Sequence, residues 1–159
     1  MKKNSTKSHK RIRTLGIIVM AISYFVAIQP PVTIASTIIA KGDDFYWSKH
    51  ALGWQISCMG GSVLFSLLFA IMISIFVIRT LKYSKTGSYF TKSNVNLLTS
   101  IPFIYFLMEF FNSNLSDVLN GKGEIIVSNS MVTPALIIGI FGILYRISYK
   151  ISEENNLTI

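Results

Sequence analysis

Residues 53–78 read GWQISCMGGSVLFSLLFAIMISIFVI, a run of 26 residues without Lys, Arg, Asp or Glu. At about 1.5 Å per residue, a helix of this length reaches about 39 Å, more than the roughly 30 Å hydrocarbon core of a bilayer. A single segment in lipid can pair its peptide groups only within a helix. The stretch therefore predicts a membrane-spanning helix.

Three further apolar stretches accompany it, at residues 15–40, 95–111 and 131–147. The first of them is as long as 53–78, whereas the other two have 17 residues each, near the lower limit of about 17 for a spanning helix. The sequence thus predicts one domain over residues 1–159. Its expected fold class is all-α: an integral membrane four-helix bundle with antiparallel, up-down spans.

The composition also indicates a membrane protein. The 159 residues are 51% hydrophobic and 14% charged, whereas an average soluble domain carries roughly 25% charged residues. These values argue against a water-soluble monomer, and the abundance of Ile, Leu and Phe argues against a disordered chain. Cys58 is the single cysteine, so no intramolecular disulfide can form.

Basic residues are concentrated on one side of the predicted spans. Only three of the 15, Lys41, Lys49 and Lys122, fall on the other side. Cytoplasmic segments retain an excess of Lys and Arg, so we expect a multi-pass protein of the cell membrane whose tails, residues 1–14 and 148–159, are both cytoplasmic. A cleaved signal peptide is the alternative for the N-terminal region, but its sequence offers only a poor cleavage site.

The net charge of +8 is open to two interpretations. Basic residues beside apolar spans contact the anionic headgroups of the bilayer, at about 1 kcal/mol for each residue near the surface. Direct nucleic-acid binding requires a suitable fold or an aromatic platform as well as charge, and neither is visible. We expect a lipid bilayer with anionic headgroups as partner and no direct nucleic-acid partner.

Pro30 and Pro31 interrupt the first span. Each proline removes a backbone donor and clashes with the preceding helical turn, so the first helix is predicted to be kinked at Pro30/Pro31. A structural kink and a broken helix that opens a binding site are both compatible with this position. The second interpretation requires a matching interruption elsewhere, for which Pro102 in the third span is a weak candidate.

Small residues mark predicted helix contacts in the second and fourth spans. Ser57 and Gly61 are four residues apart, and Gly139 and Gly142 lie on the fourth span. Small residues allow helix backbones to approach closely in lipid. Packing within the chain is the favoured use, and a homodimer contact through the same faces is the alternative.

Glu109 is the only carboxylate inside a predicted span. Ionisable groups at this depth are functional-site candidates because leaving them unpaired is costly. Two interpretations stay open: an outer-interface residue that snorkels or pairs with Lys41, Lys49 or Lys122, and a group that couples to a proton or cation.

No other residue suggests chemistry. The sequence has no zinc-ligand spacing, no Gly-rich phosphate loop, no nucleophile elbow and no metalloprotease helix. We therefore expect no catalytic residue, no cofactor-binding residue and no metal ligand, and the chain is predicted not to be an enzyme. In the outer segment, residues 112–130, an NGKG sequence can form a short hairpin or belong to a loop packed on the helix ends.

Two segments on the predicted cytoplasmic side carry a family pattern. Residues 81–98, LKYSKTGSYFTKSNVNLL, and residues 152–159, SEENNLTI, resemble an uncharacterised bacterial family of four-span membrane proteins, domain of unknown function 2975. In the tail, Asn156 stands where that family usually has Asp. Length, number of spans and placement of both segments agree over nearly the whole chain.

The resemblance implies a partner rather than a reaction. Proteins of this family are often encoded beside a small helix-turn-helix regulator of the Cro type, which implies a membrane protein that binds or restrains a cytoplasmic transcriptional regulator. The corresponding partner-binding residues would be those of the loop and the tail: Gly87, Phe90, Asn94, Glu153, Glu154, Leu157, Thr158 and Ile159.

A second function belongs to a different class. The kinked first helix, Glu109 and the outer loop could instead serve an immunity or transport-accessory protein that acts on an extracellular peptide or small solute. Small-residue faces also fit a packing subunit of a larger membrane complex.

Overall fold

Four helices account for most of the chain. The computed structural model describes residues 2–84 and 90–157. Its helices are α1 (Lys2–Lys41), α2 (Leu52–Ser84), α3 (Lys92–Leu119) and α4 (Asn129–Leu157), with a short 3-10 turn at Gly42–Asp44. Each of the four helices contains a segment that is long and apolar enough to cross a membrane. The predicted all-α fold is confirmed.

Successive helices run in opposite directions. The start of α1 lies beside the end of α2, where Gly16 faces Val77. The start of α2 meets the end of α3, where Gln55 Nε2 donates to the Val118 carbonyl at 3.2 Å. The backbone of α2 packs against α1 and α3, and α4 packs against α3. This is the antiparallel, up-down bundle expected from the sequence.

Large apolar side chains face outward, and small polar ones face inward. Phe25, Phe103 and Phe141 are each more than 60% exposed, whereas the buried face of α2 carries Ser62 and Ser66, both fully buried. The Ser62 hydroxyl donates to the Met59 carbonyl at 2.8 Å, which satisfies it within its own helix. Since lipid is as apolar as Phe, an outward-facing Phe costs nothing there, and small interior residues let the helices pack closely.

Pro30 and Pro31 lie inside α1, which continues through them as one helix. Pro30 is buried. The alternative of a helix broken into two elements is therefore not adopted, and the bend at the two prolines stays a prediction. Because proline has no N–H, the carbonyls of Val26 and Ala27, four residues earlier, lack their helical donors.

The outer segment forms a loop packed on the helix ends, not a hairpin. Helix α3 extends to Leu119, and a turn with Gly121 at φ +77° follows it. Asn114, which is fully buried, then binds the returning chain: its Nδ2 donates to the Ile126 carbonyl at 2.9 Å and its Oδ1 accepts from the Ile126 N–H at 2.7 Å. The side-chain carboxamide of Asn114 thus pairs both the N–H and the carbonyl group of Ile126.

Two more polar side chains tie the connections at this end of the bundle. Gln55 donates to the Tyr46 carbonyl and accepts from the Ser48 N–H, which fixes the segment between α1 and α2. Lys41 donates to the Leu119 carbonyl at 2.8 Å. A cation at that place is favourable because the C-terminal end of a helix carries partial negative charge.

Two of the small residues singled out in the sequence serve packing within the chain. A Cβ at Gly61 would lie 2.7 Å from the Phe111 ring, and one at Gly142 would lie 3.1 Å from the Leu98 carbonyl oxygen. Gly60 has no neighbour at its Cβ position, and Ser57 is exposed. A homodimer contact through that open face stays a prediction.

Gly61→Ala should lower the free energy of unfolding by about 1–3 kcal/mol, because the new methyl group overlaps the base of the Phe111 ring. The matched control is Gly60→Ala, one residue away on the same helix, where the methyl group meets open space and stability should not fall. Thermal unfolding of the detergent-solubilised full chain measures both. Equal stability of the two variants would contradict the close α2–α3 contact.

Candidate functional site

A polar cleft of about 330 Å³ lies between α1 and α3. These two helices approach each other over only a short length, so a space is left where their faces diverge. From α1 the cleft is lined by Val26, Gln29, Pro30 and Thr33, and from α3 by Glu109, Asn112, Ser113, Leu115 and Ser116.

The polar residues of α3 share one helix face. Glu109, Asn112, Ser113 and Ser116 follow at positions i, i+3, i+4 and i+7, which project to the same side of a helix. Since α3 ends at Leu119, Glu109 lies ten residues from that end, about 15 Å along the axis. The helix thus continues past the apolar stretch 95–111 by eight residues, which include Asn112, Asn114 and Asp117.

Glu109 has no cationic partner in the described residues. The salt bridge found in that part of the chain joins Lys122 to Asp117 at 3.2 Å, and Lys41 donates to the Leu119 carbonyl. The Ser113 hydroxyl, one turn along α3, is close enough to interact with the Glu109 carboxyl. Two of the three lysines considered as partners from the sequence are thus engaged elsewhere.

Two residues that line the cleft, Asn112 and Val26, have acceptor oxygens without their usual donors. Asn112 Nδ2 donates to Ser66 Oγ at 3.3 Å, while Asn112 Oδ1 is buried and has no partner in the described part of the chain. Pro30 leaves the Val26 carbonyl without its helical N–H donor. Three kinds of oxygen, a carboxylate, a carboxamide and a peptide carbonyl, therefore belong to residues that line the same cleft.

At the opposite end of the bundle, two of the predicted partner-binding residues serve internal packing. Asn94 is fully buried, and its Nδ2 donates to Thr80 Oγ1 at 3.2 Å and to the Tyr145 hydroxyl at 3.5 Å. The Phe90 ring packs edge-on against Tyr145 at 5.0 Å between centroids. Gly87, the third residue of that loop pattern, lies outside the described residues.

The tail residues are only partly described. Helix α4 continues to Leu157, and Glu153 and Glu154 are exposed on it. Glu153 lines a pocket together with Lys92 and Lys150. The side chain of Leu157 and the residues Thr158 and Ile159 lie outside the described part of the chain, so their predicted role stays a prediction.

Sequence reasoning identified Glu109 and missed its neighbours in the cleft. Asn112, Ser113 and Ser116 could have been found, because their spacing from Glu109 is the helical i, i+3, i+4, i+7 pattern. Gln29 and Thr33 flank Pro30 on α1. No periodicity in the sequence indicates which other helix lies opposite these two residues. Only the packing of α1 against the rest of the bundle places them opposite Glu109.

Comparison of the chain with protein-family models, curated proteins and solved structures finds no match in any of the three. The site is therefore interpreted from its own chemistry, as part of a multi-pass membrane protein with four apolar helices.

Proposed function

We propose that this chain is a non-enzymatic multi-pass membrane protein that binds a small cationic solute in the α1–α3 cleft. This proposal belongs to the transport-accessory or immunity class of function. The sequence suggested an extracellular peptide or a small solute as the ligand, and the proposed ligand is now a small cation with N–H donors. The observation that carries the proposal is Glu109, a carboxylate at membrane depth that has no salt bridge in the described residues.

The chemistry of the lining supports a cation rather than an anion. A carboxylate in the hydrocarbon region is costly unless a positive group or several donors satisfy it. The cleft offers no Lys, Arg or His, and its polar lining residues Gln29, Thr33, Asn112, Ser113 and Ser116 all carry acceptor oxygens. An ammonium or guanidinium group supplies positive charge and several N–H donors at once.

The size of the cleft supports a small occupant. About 330 Å³ is at the low end of the roughly 300–1,000 Å³ typical of ligand pockets, which suits a small amine better than a folded peptide. The hydroxyls of Thr33, Ser113 and Ser116 can adapt as donors or acceptors. They would hold the part of the solute that Glu109 does not reach.

A second candidate function is the binding of a helix-turn-helix transcriptional regulator on the cytoplasmic side. It is favoured by the helical extension of α4 beyond its apolar segment to Leu157, which carries the exposed Glu153 and Glu154 away from the membrane. An acidic helix with apolar residues near its end suits a basic groove on a partner. Membership of the four-span family and a cytoplasmic location of both tails belong to this proposal.

Because Asn94 is buried, the second proposal assigns binding of the regulator mainly to the C-terminal tail and not to the inner loop. Asn94 is enclosed by Thr80 and Tyr145, so a partner could not contact it without opening the end of the bundle. Phe90, at 37% exposure, keeps part of its ring accessible. The regulator would then bind chiefly through Glu153, Glu154 and the residues that follow.

Glu109→Gln should weaken binding of putrescine or guanidinium by about 10- to 100-fold, because one charge-assisted hydrogen bond loses its charge while the side chain keeps its shape. Isothermal titration calorimetry on the full chain in detergent measures the affinity. The control is Glu124→Gln, an exposed carboxylate of the outer segment that does not line the cleft. Equal affinity of the wild type and Glu109→Gln would remove Glu109 from the proposed site.

Deletion of residues 152–159 should abolish co-purification of a helix-turn-helix regulator of the Cro type, because it removes Glu153, Glu154 and the apolar end of the tail. The control is a chain of full length whose last eight residues are scrambled, which keeps composition and charge. If the scrambled tail retains the regulator as well as the native tail does, recognition is only electrostatic. If the deletion also retains it, the tail is not the docking segment.

Thiol labelling of intact cells tests the sidedness. A membrane-impermeant maleimide should leave Lys85→Cys and Asn155→Cys unlabelled and should label Lys122→Cys, because the first two positions are predicted to be cytoplasmic. Cys58 contributes little background, since it is fully buried. Labelling of position 85 or 155 from outside would overturn the assigned sidedness and the regulator proposal with it.

A further inference from the structure

The seam between α3 and α4 contains a long apolar groove. Its volume is about 630 Å³, and it runs from Val132 near the start of α4 to Arg146. Its walls are large apolar side chains that protein does not cover: Phe103 is 64% exposed, Leu136 63% and Ile143 61%. The backbone of α4 packs against α3 and no other described helix, so this side of the seam faces the surroundings.

A second, polar pocket of about 440 Å³ adjoins one end of the groove. Thr99 and Arg146 line both spaces, so the two are direct neighbours along the seam. The polar pocket brings together three cationic side chains, Lys92, Arg146 and Lys150. Its one carboxylate is Glu153, and the described residues form no salt bridge with any of the three cations.

Helical spacing explains why these groups meet. Lys92, Asn96 and Ser100 follow each other at intervals of four on α3, and Arg146 and Lys150 do so on α4, so each set shares one helix face. Because Gly142 has no side chain, α3 and α4 can approach closely between these faces. A Cβ at Gly142 would lie 3.1 Å from the Leu98 carbonyl oxygen. The polar pocket lies at the end of the bundle that is predicted to be cytoplasmic.

We propose that this seam is a binding site for one anionic phospholipid of the phosphatidylglycerol type, with its phosphate at Lys92, Arg146 and Lys150 and an acyl chain in the apolar groove. Charge complementarity selects the occupant: a basic pocket between membrane helices at the cytoplasmic surface matches an anionic headgroup. The groove extends about 21 Å along α4 from Val132 to Arg146, enough for an acyl chain that crosses half of a roughly 30 Å hydrocarbon core.

Glu153 favours a headgroup that carries hydroxyl groups as well as a phosphate. A bare phosphate would be repelled by this carboxylate, whereas the hydroxyls of a glycerol headgroup can donate to it. The hydroxyl of Tyr149, which also lines the polar pocket, can donate to a phosphate oxygen. The site is separate from the α1–α3 cleft and does not depend on the proposed solute.

The decisive experiment measures lipid retention by native mass spectrometry of the full chain in detergent. Phosphatidylglycerol should bind in a one-to-one complex, and Arg146→Gln with Lys150→Gln should weaken it about 30-fold, since each basic residue near a headgroup contributes about a factor of five. The matched control removes the same charge on the same predicted side but away from the seam: Arg13→Gln with Lys82→Gln, which should retain the lipid.

Three outcomes would overturn the proposal. Equal loss in the control variant would mean a general electrostatic attraction, equal binding of phosphatidylcholine would exclude recognition of the anionic headgroup, and equal binding of free glycerol phosphate would exclude the groove. If the double variant does not fold, Gly139→Leu tests the groove with all charges kept. It adds a side chain to the groove wall at a position where a Cβ makes ordinary van der Waals contact with Pro102, at 3.8 Å, and it should reduce phosphatidylglycerol binding.

Discussion

The structure depends on one constraint: in a hydrocarbon environment, peptide groups must find their hydrogen-bond partners within the protein. Four long helices meet this demand for most of the chain. Pro30 and Pro31 depart from it on α1, because the Val26 and Ala27 carbonyls lose their helical donors. The polar face of α3 that carries Glu109 and Asn112 lies opposite that level of α1. The cleft is therefore polar on both of its walls.

The two seams of α3 differ in how closely the helices approach, and this difference decides what each can hold. A Cβ at Gly142 would lie 3.1 Å from the Leu98 carbonyl oxygen, so α3 and α4 are in close contact there, and the apolar groove lies along the exposed side of this seam. Helices α1 and α3 touch over a short length, which leaves a cleft between them. A cleft lined by Glu109 and other polar side chains suits a small solute, whereas an apolar groove with a basic end suits a lipid.

The inner loop shows how a sequence pattern can have a packing cause. Phe90 and Asn94 belong to the loop pattern noted in the sequence, and both contact Tyr145 of α4. Such contacts join the start of α3 to the end of α4 and help to hold the last helix on the bundle. Packing at this end of the bundle is therefore enough to account for the presence of both residues, whether or not a partner binds nearby.

The sequence by itself determined the helices and their alternating directions, because apolar length and the requirement for internal hydrogen bonding depend on local composition alone. It also identified Glu109, since a carboxylate within an apolar stretch is visible without a structure. Only the tertiary structure decided which faces meet: that Gln29 and Thr33 lie across from Glu109, that Asn94 is buried, and that Lys92, Arg146 and Lys150 converge. These relations depend on the rotation of each helix about its axis, which is set by the packing of glycines and rings such as Gly61 against Phe111 and not by hydropathy.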